Sequence, residues 1–110
     1  MYITKSDSPN MRYEYLARAI FDCNSKYCDP FGYAAQDRFG GFAHEFDSKY
    51  FIDSQRALTT VLTVFVYRFP KTEYTETIKN LIDRTWSAKT STEAIQIIDE
   101  AIKIAEKLGL

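Results

Sequence analysis

Apolar residues recur at steps of three and four along most of this 110-residue chain, which is the spacing of a helix with one buried face. The pattern appears in four runs separated by proline, glycine or capping residues, and no pair of candidate strands accompanies it. The sequence therefore predicts an all-α fold, an up-and-down bundle of four to five helices in a single domain over residues 1–110. An irregular connection rich in aromatic residues and glycine is expected around residues 28–47.

The first two helices are predicted from residues that suit helix starts. Ser8 is placed to cap a helix over about residues 9–27, and Pro9 suits its first turn. The buried face of this helix is predicted from the spacing of Met11, Tyr15, Ala19, Ile20, Cys23 and Tyr27. A short helix over about residues 30–39 is expected next, and the pair Gly40-Gly41 ends it.

The run from Phe51 to Phe69 combines helical spacing with residues that favour strands. Its helical face consists of Phe51, Gln55, Leu58, Leu62, Phe65 and Phe69. Residues 59–69 are rich in β-branched and aromatic residues, which favour strands. Both faces of such a strand would mix polar and apolar residues, so we favour a buried helix that starts near Asp47 or Ser48 and stops before Pro70.

Two aliphatic helices are predicted in the last third of the chain, where seven of the ten isoleucines lie. A helix that opens at Thr72 or Thr75 carries the apolar residues Ile78, Leu81, Ile82 and Trp86. Thr90 and Glu93 form a capping box for the last helix, and Gly109 is typical of its end. The apolar stripe of that helix consists of Ile95, Ile98, Ile102, Ala105 and Leu108.

Residues 27–51 have the most unusual composition of the chain. They hold eight of the seventeen aromatic residues, three of the four glycines and the single histidine, His44. Two interpretations stay open: the rings fill the core as an irregular aromatic segment, or they are displayed for binding. Exposed aromatic side chains supply much of the binding energy at protein interfaces.

A partner-binding site is predicted within this aromatic region, made of rings and acidic groups. The candidate residues are Tyr33, Asp37, Phe39, Phe42, His44, Glu45, Asp47 and Tyr50. Residues 22–53 contain six acidic residues against three basic ones, an excess that favours a basic protein partner such as a toxin or a nuclease.

Other classes of function are disfavoured by composition and spacing. Fourteen basic residues balance fifteen acidic ones without a basic stripe, so nucleic-acid binding is not expected. Cys23, Cys28 and one histidine do not make a zinc set, and no glycine-rich phosphate loop is found, so neither metal nor cofactor is expected. We found no signal peptide, and the longest apolar stretch is too short for a membrane span. A cytoplasmic protein with no membrane partner is expected.

The sequence thus favours a small non-catalytic protein-binding domain, an inhibitor of the immunity-protein or antitoxin type that masks a basic surface. The alternative is a helical scaffold or a subunit that associates with itself as a homodimer. A third interpretation is enzymatic. Arg38 followed by His44 resembles the arginine and histidine pair of the HEPN family of helical RNases, a resemblance that covers those two residues and implies cleavage of RNA.

Overall fold

The computed structural model describes residues 8–21 and 51–110, and the regular structure in those residues is entirely helical. The helices are α1 (Pro9–Phe21), α2 (Phe51–Arg68), α3 (Thr75–Ser87) and α4 (Ser91–Lys107). The all-helical prediction is confirmed for this part of the chain, and residues 59–68 belong to a helix rather than a strand. The single domain, the number of helices and the irregular connection at 28–47 stay predictions, because they depend on residues 22–50.

The predicted capping residues act at two helix starts. Ser8 Oγ accepts a hydrogen bond from the Met11 backbone nitrogen at 3.1 Å, and Thr90 Oγ1 accepts one from the Glu93 nitrogen at 3.3 Å. The return bond from Glu93 is displaced by one residue, since its Oε2 accepts from the Lys89 nitrogen at 2.9 Å. At α3, by contrast, Tyr74 is the N-cap residue and its side chain makes no capping bond.

The end of α4 confirms the prediction made for Gly109. This glycine has a φ of 82°, in the left-handed region that other residues enter only with strain. The Leu110 nitrogen donates to the Ala105 carbonyl at 3.0 Å, and the Gly109 nitrogen donates to the Glu106 carbonyl at 3.1 Å. This pair of bonds is the Schellman motif, which satisfies carbonyl groups that the helix leaves open.

Helices α1 and α2 are parallel. The Tyr13 hydroxyl, early in α1, donates to the Ala57 carbonyl early in α2 at 3.4 Å. The Arg68 guanidinium, at the end of α2, donates to the carbonyl of Phe21 at the end of α1. Phe21 and Phe51 therefore lie at opposite ends of α2, which is about 27 Å long at 1.5 Å per residue.

Helix α3 is antiparallel to the helices that it contacts. It contacts α2 and α4, and short connections join all three helices. Thr75, at its start, donates from Oγ1 to the Phe69 carbonyl just after α2, whereas Thr85, near its end, accepts from Gln55 early in α2. The end of α2 and the start of α3 therefore meet at one end of the bundle, and the start of α2 and the end of α3 meet at the other.

Among the described residues, the core lies where α1, α2, α3 and α4 meet. Its largest apolar members include Tyr13, Leu16, Ile20, Leu58, Leu62, Phe65, Phe69, Ile78, Leu81, Ile97 and Ile98. The predicted faces of α2 and α4 are confirmed, although Phe51 and Ile95 are only partly buried.

The predicted face of α1 is wrong for two of its residues. Met11 and Tyr15 are 56% and 38% exposed, while Arg12 and Tyr13 are buried. The buried face consists instead of Tyr13, Leu16, Ala17, Ile20 and Phe21, which also recur at steps of three and four. Two apolar stripes were therefore available on α1, and Arg12 beside the buried one pairs with Asp99 of α4.

Candidate protein-interaction surface

All eight residues predicted to bind a partner lie outside the described residues. The same holds for Cys23, Cys28 and Arg38. Their arrangement stays a prediction, and the surface described below is built from α1, α2 and α3.

Gln55 fixes how α2 and α3 sit against each other. It is buried, and its amide nitrogen Nε2 donates to the carbonyl oxygens of Thr85 and Ala88 at 3.1 and 2.9 Å. Thr85 lies in the last turn of α3 and Ala88 is its C-cap residue; the Thr85 carbonyl also accepts from the Ala88 nitrogen at 3.3 Å. One amide group therefore caps α3 and holds its end beside the first turns of α2.

Two large apolar side chains are exposed at this end of the helix pair. Ile52, one turn before Gln55, is 48% exposed, and Trp86, next to Thr85, is 52% exposed. We refer to Ile52 and Trp86 as the end patch. Trp86 is the single tryptophan of the chain. Its half-exposed ring leaves a large apolar area in water, and covering that area with a partner would be favourable.

Trp86 faces away from α4. Arg84 lies on the α4 side of α3, since its Nη1 is 2.6 Å from Glu100 Oε2. Trp86 is two residues further on, about 200° around the helix at 100° per residue. The ring therefore lies on the flank of α3 opposite α4.

Charged side chains border the end patch. Arg56 is exposed one turn after Ile52, and Asp83 is exposed one turn before Trp86. Lys89 is exposed just beyond the end of α3. Apolar side chains bordered by charged ones have the composition of a small protein interface, with an apolar centre and a polar rim.

Beyond the end patch, three threonines lie on the outer side of α2, and their hydroxyl groups bond within the helix. Thr59, Thr60 and Thr63 donate from their hydroxyls to carbonyls four residues earlier, at 2.8, 2.8 and 2.7 Å. Their hydroxyl hydrogens are thus used within the helix, in the manner usual for threonine inside helices. Tyr67, 50% exposed, lies near the far end of this side.

A second exposed apolar strip lies on α1. Met11 and Tyr15 are one turn apart, and Tyr15 lines a shallow groove of about 290 Å³ together with Arg18, Ala19 and Leu110. This groove brings the end of α1 beside the last residue of the chain.

Four of the buried polar side chains bond within the bundle. Arg12 pairs with Asp99, Gln55 donates to the Ala88 carbonyl, Arg68 donates to the Phe21 carbonyl, and Thr85 Oγ1 donates to the Leu81 carbonyl at 2.8 Å. Within the described ranges, no group of three metal-ligating side chains is close enough to hold an ion. None of the four described helices has the length and apolarity to cross a membrane.

The sequence indicates the exposure of one of the two residues of the end patch. Spacing predicts Trp86 on the apolar face of its helix, but Trp86 follows Ile78 by eight residues and so lies about 80° away from it. This offset indicates a position at the edge of the apolar face. Ile52 gave no such signal, because its exposure depends on which side of α2 meets α3.

No known protein family, curated protein or solved structure matches this chain. The chemistry of the surface, together with the composition of residues 27–51, is therefore the ground for a functional proposal.

Proposed function

We propose that this chain is a non-catalytic protein-binding domain, an inhibitor of the kind represented by immunity proteins and antitoxins. The observation that carries the proposal is Trp86, an indole 52% exposed at the end of the α2–α3 pair, with Ile52 at the same end. Tryptophan is among the residues most enriched at interface hot spots. An apolar ring held on a helix binds a partner with little loss of conformational freedom.

The predicted binding residues adjoin the end patch along the chain. Phe51 begins α2, so Tyr50 is two residues from Ile52. We propose that the interface combines the end patch with the aromatic and acidic side chains predicted between Tyr33 and Tyr50. The acidic excess of residues 22–53 supports a basic partner, such as a toxin or a nuclease whose active site would be masked.

Self-association is the second candidate function, favoured by the strip on α1. Met11 and Tyr15 beside the groove at Leu110 offer an apolar contact for a second copy of the chain. A twofold dimer would pair this strip with itself. This surface is on α1, so the two candidate functions are separable by mutation.

The test uses one variant for each surface. The purified chain is immobilised to capture partners from native extract, captured proteins are identified by mass spectrometry, and the affinity of a purified partner is measured by calorimetry. We expect W86S to weaken binding about thirtyfold, which corresponds to the roughly 2 kcal/mol of a hot spot. M11S serves as the matched control, with similar exposure on another helix, and should bind like the wild type.

Two results would contradict the proposal. One is equal affinity of W86S and wild type for the captured partner. The other is a wild-type chain that sediments as a dimer and becomes monomeric with M11S, which would favour self-association.

A further inference from the structure

Asp83 and Trp86 lie side by side on the outer flank of α3. They are three residues apart, which is about 60° around the helix axis, and residues at this spacing have Cβ atoms roughly 5–6 Å apart. Both side chains are exposed. Because helical side chains lean toward the start of their helix, the indole of Trp86 covers the turn that contains Ile82 and Asp83. An aromatic ring and a carboxylate therefore share one small area of surface.

Neither side chain is engaged within residues 8–21 and 51–110. The Asp83 carboxylate makes no ion pair or hydrogen bond there, and the Trp86 ring makes no ring or cation contact. Lys79, one turn before Asp83, pairs instead with Glu76 at 3.4 Å. Both the negative charge of Asp83 and the face of the indole are thus open to a group from outside these residues.

A cation is the group that suits this surface. A positive charge is attracted to the face of an aromatic ring, and most strongly to that of tryptophan. The bundle contains such a contact elsewhere, since Lys107 Nζ lies 5.6 Å from the centre of the Tyr74 ring. Trp86 has the same kind of face without a cation, and Asp83 supplies a second attraction for one.

The planar guanidinium of arginine fits both groups better than an ammonium does. It stacks on an aromatic face, and its N–H donors point outward in the same plane, where a carboxylate can accept from them. Arg56 and Lys89 border the end patch on other sides, and like charges repel across an interface. The surface therefore favours a single arginine over a run of basic residues.

We propose that Trp86 and Asp83 receive one arginine side chain of the protein partner, with its guanidinium on the indole and bonded to the carboxylate. This inference rests on the proposed function and specifies how a basic partner is recognised at the end patch. Trp86 supplies the ring, and Asp83 supplies the charge that distinguishes arginine from an apolar side chain.

The experiment is an NMR titration of the ¹⁵N-labelled full chain with the acetylated tripeptide amide leucine-arginine-leucine, followed at the Trp86 indole N–H. The control peptide contains citrulline, which has the shape of arginine without its charge. We expect a saturable shift with the arginine peptide and a Kd about fivefold higher with citrulline, because the attraction to the ring and the carboxylate requires the charge. The arginine δ protons should move upfield, since they lie over the ring.

Two variants locate the charge that the peptide recognises. D83N removes the carboxylate beside the ring, and E76Q removes an exposed carboxylate two turns earlier on the same helix. D83N should raise the Kd of the arginine peptide about threefold, whereas E76Q should change it by less than about 1.5-fold. Equal Kd values for the two peptides, equal effects of D83N and E76Q, or a shift that does not saturate would overturn the proposal.

A captured partner separates this inference from the proposed function. Weaker binding of the partner by both W86S and D83N, with E76Q like the wild type, would support both. Weaker binding by W86S alone would overturn the arginine site and leave the proposed function standing. If the arginine peptide binds as expected but W86S binds the partner like the wild type, the proposed function is contradicted and the arginine site stands.

Discussion

Arg12 in α1 donates to both carboxylate oxygens of Asp99 in α4, at 3.1 and 3.2 Å, and so joins two helices through residues that are 87 positions apart in the chain. The two side chains differ in exposure: 10% for Arg12 and 44% for Asp99. Water can therefore solvate the carboxylate far better than the guanidinium. Removal of this carboxylate should therefore lower the free energy of unfolding by more than removal of one partner of an exposed ion pair usually does.

The first prediction is that D99N lowers the free energy of unfolding by about 1–3 kcal/mol, the range for a hydrogen bond to a largely buried charge. Urea denaturation followed by circular dichroism measures the change. D83N is the matched control, since Asp83 is exposed on α3, and it should change stability by less than about 0.5 kcal/mol. Equal effects of D99N and D83N would mean that the pair contributes nothing specific.

The second prediction concerns the cap that Gln55 places on α3. Q55L replaces the amide with an apolar group and removes this donor from two buried carbonyls, those of Thr85 and Ala88. The Thr85 carbonyl keeps its bond from the Ala88 nitrogen, so we expect a loss of about 1–3 kcal/mol in urea denaturation. Q55E should be worse still, because an ionised carboxylate accepts hydrogen bonds and faces two other acceptors.

The exposed glutamine Gln96 in α4 supplies the control for this pair of variants. Q96L makes the same chemical change at the surface and should alter stability by less than about 0.5 kcal/mol. If Q55L proved as stable as Q96L, water or another donor would have to replace Gln55 at the end of α3.

Much of the helical architecture was predictable because it depends on local chemistry. Ser8, Thr90 and Gly109 act on backbone groups within a few residues of themselves, and the structure confirms all three. The face of α2 was predictable for a related reason. Its apolar residues repeat over five turns, so the helical period overrides the strand preference of its threonines and valines.

The remainder depended on partners far away in the chain. Arg12 pairs with Asp99 and Arg68 donates to the Phe21 carbonyl, and neither contact is visible from spacing. The end patch depends on both kinds of feature: spacing places Trp86 at the edge of the apolar face of α3, while Gln55 sets how α2 and α3 lie against each other. The eight predicted binding residues lie outside the described ranges, so that prediction is untested.

The third prediction tests the start of α4. T90A removes the oxygen that accepts from the Glu93 nitrogen, and an N-cap threonine contributes about 1 kcal/mol. The midpoint of urea unfolding should fall accordingly while the slope stays constant. T92A, two residues further on and exposed, keeps the cap and should leave the midpoint nearly unchanged. An unchanged midpoint in T90A would show that the bond from Lys89 to Glu93 is sufficient to start the helix.

The fourth prediction separates the end patch from the core. W86A removes a ring that is already half in water, so we expect it to lower stability by less than about 1.5 kcal/mol. F65A removes a fully buried ring that packs edge-on against Phe69 at 5.4 Å, and should lower it by about 3–5 kcal/mol. Circular dichroism during urea denaturation gives both values.

Acrylamide quenching of the single tryptophan adds a direct measurement in the wild type: quenching should be strong in the free chain and should fall when a partner covers Trp86. Weak quenching in the free chain, or a loss in W86A as large as in F65A, would show that the ring belongs to the core and is not available for binding.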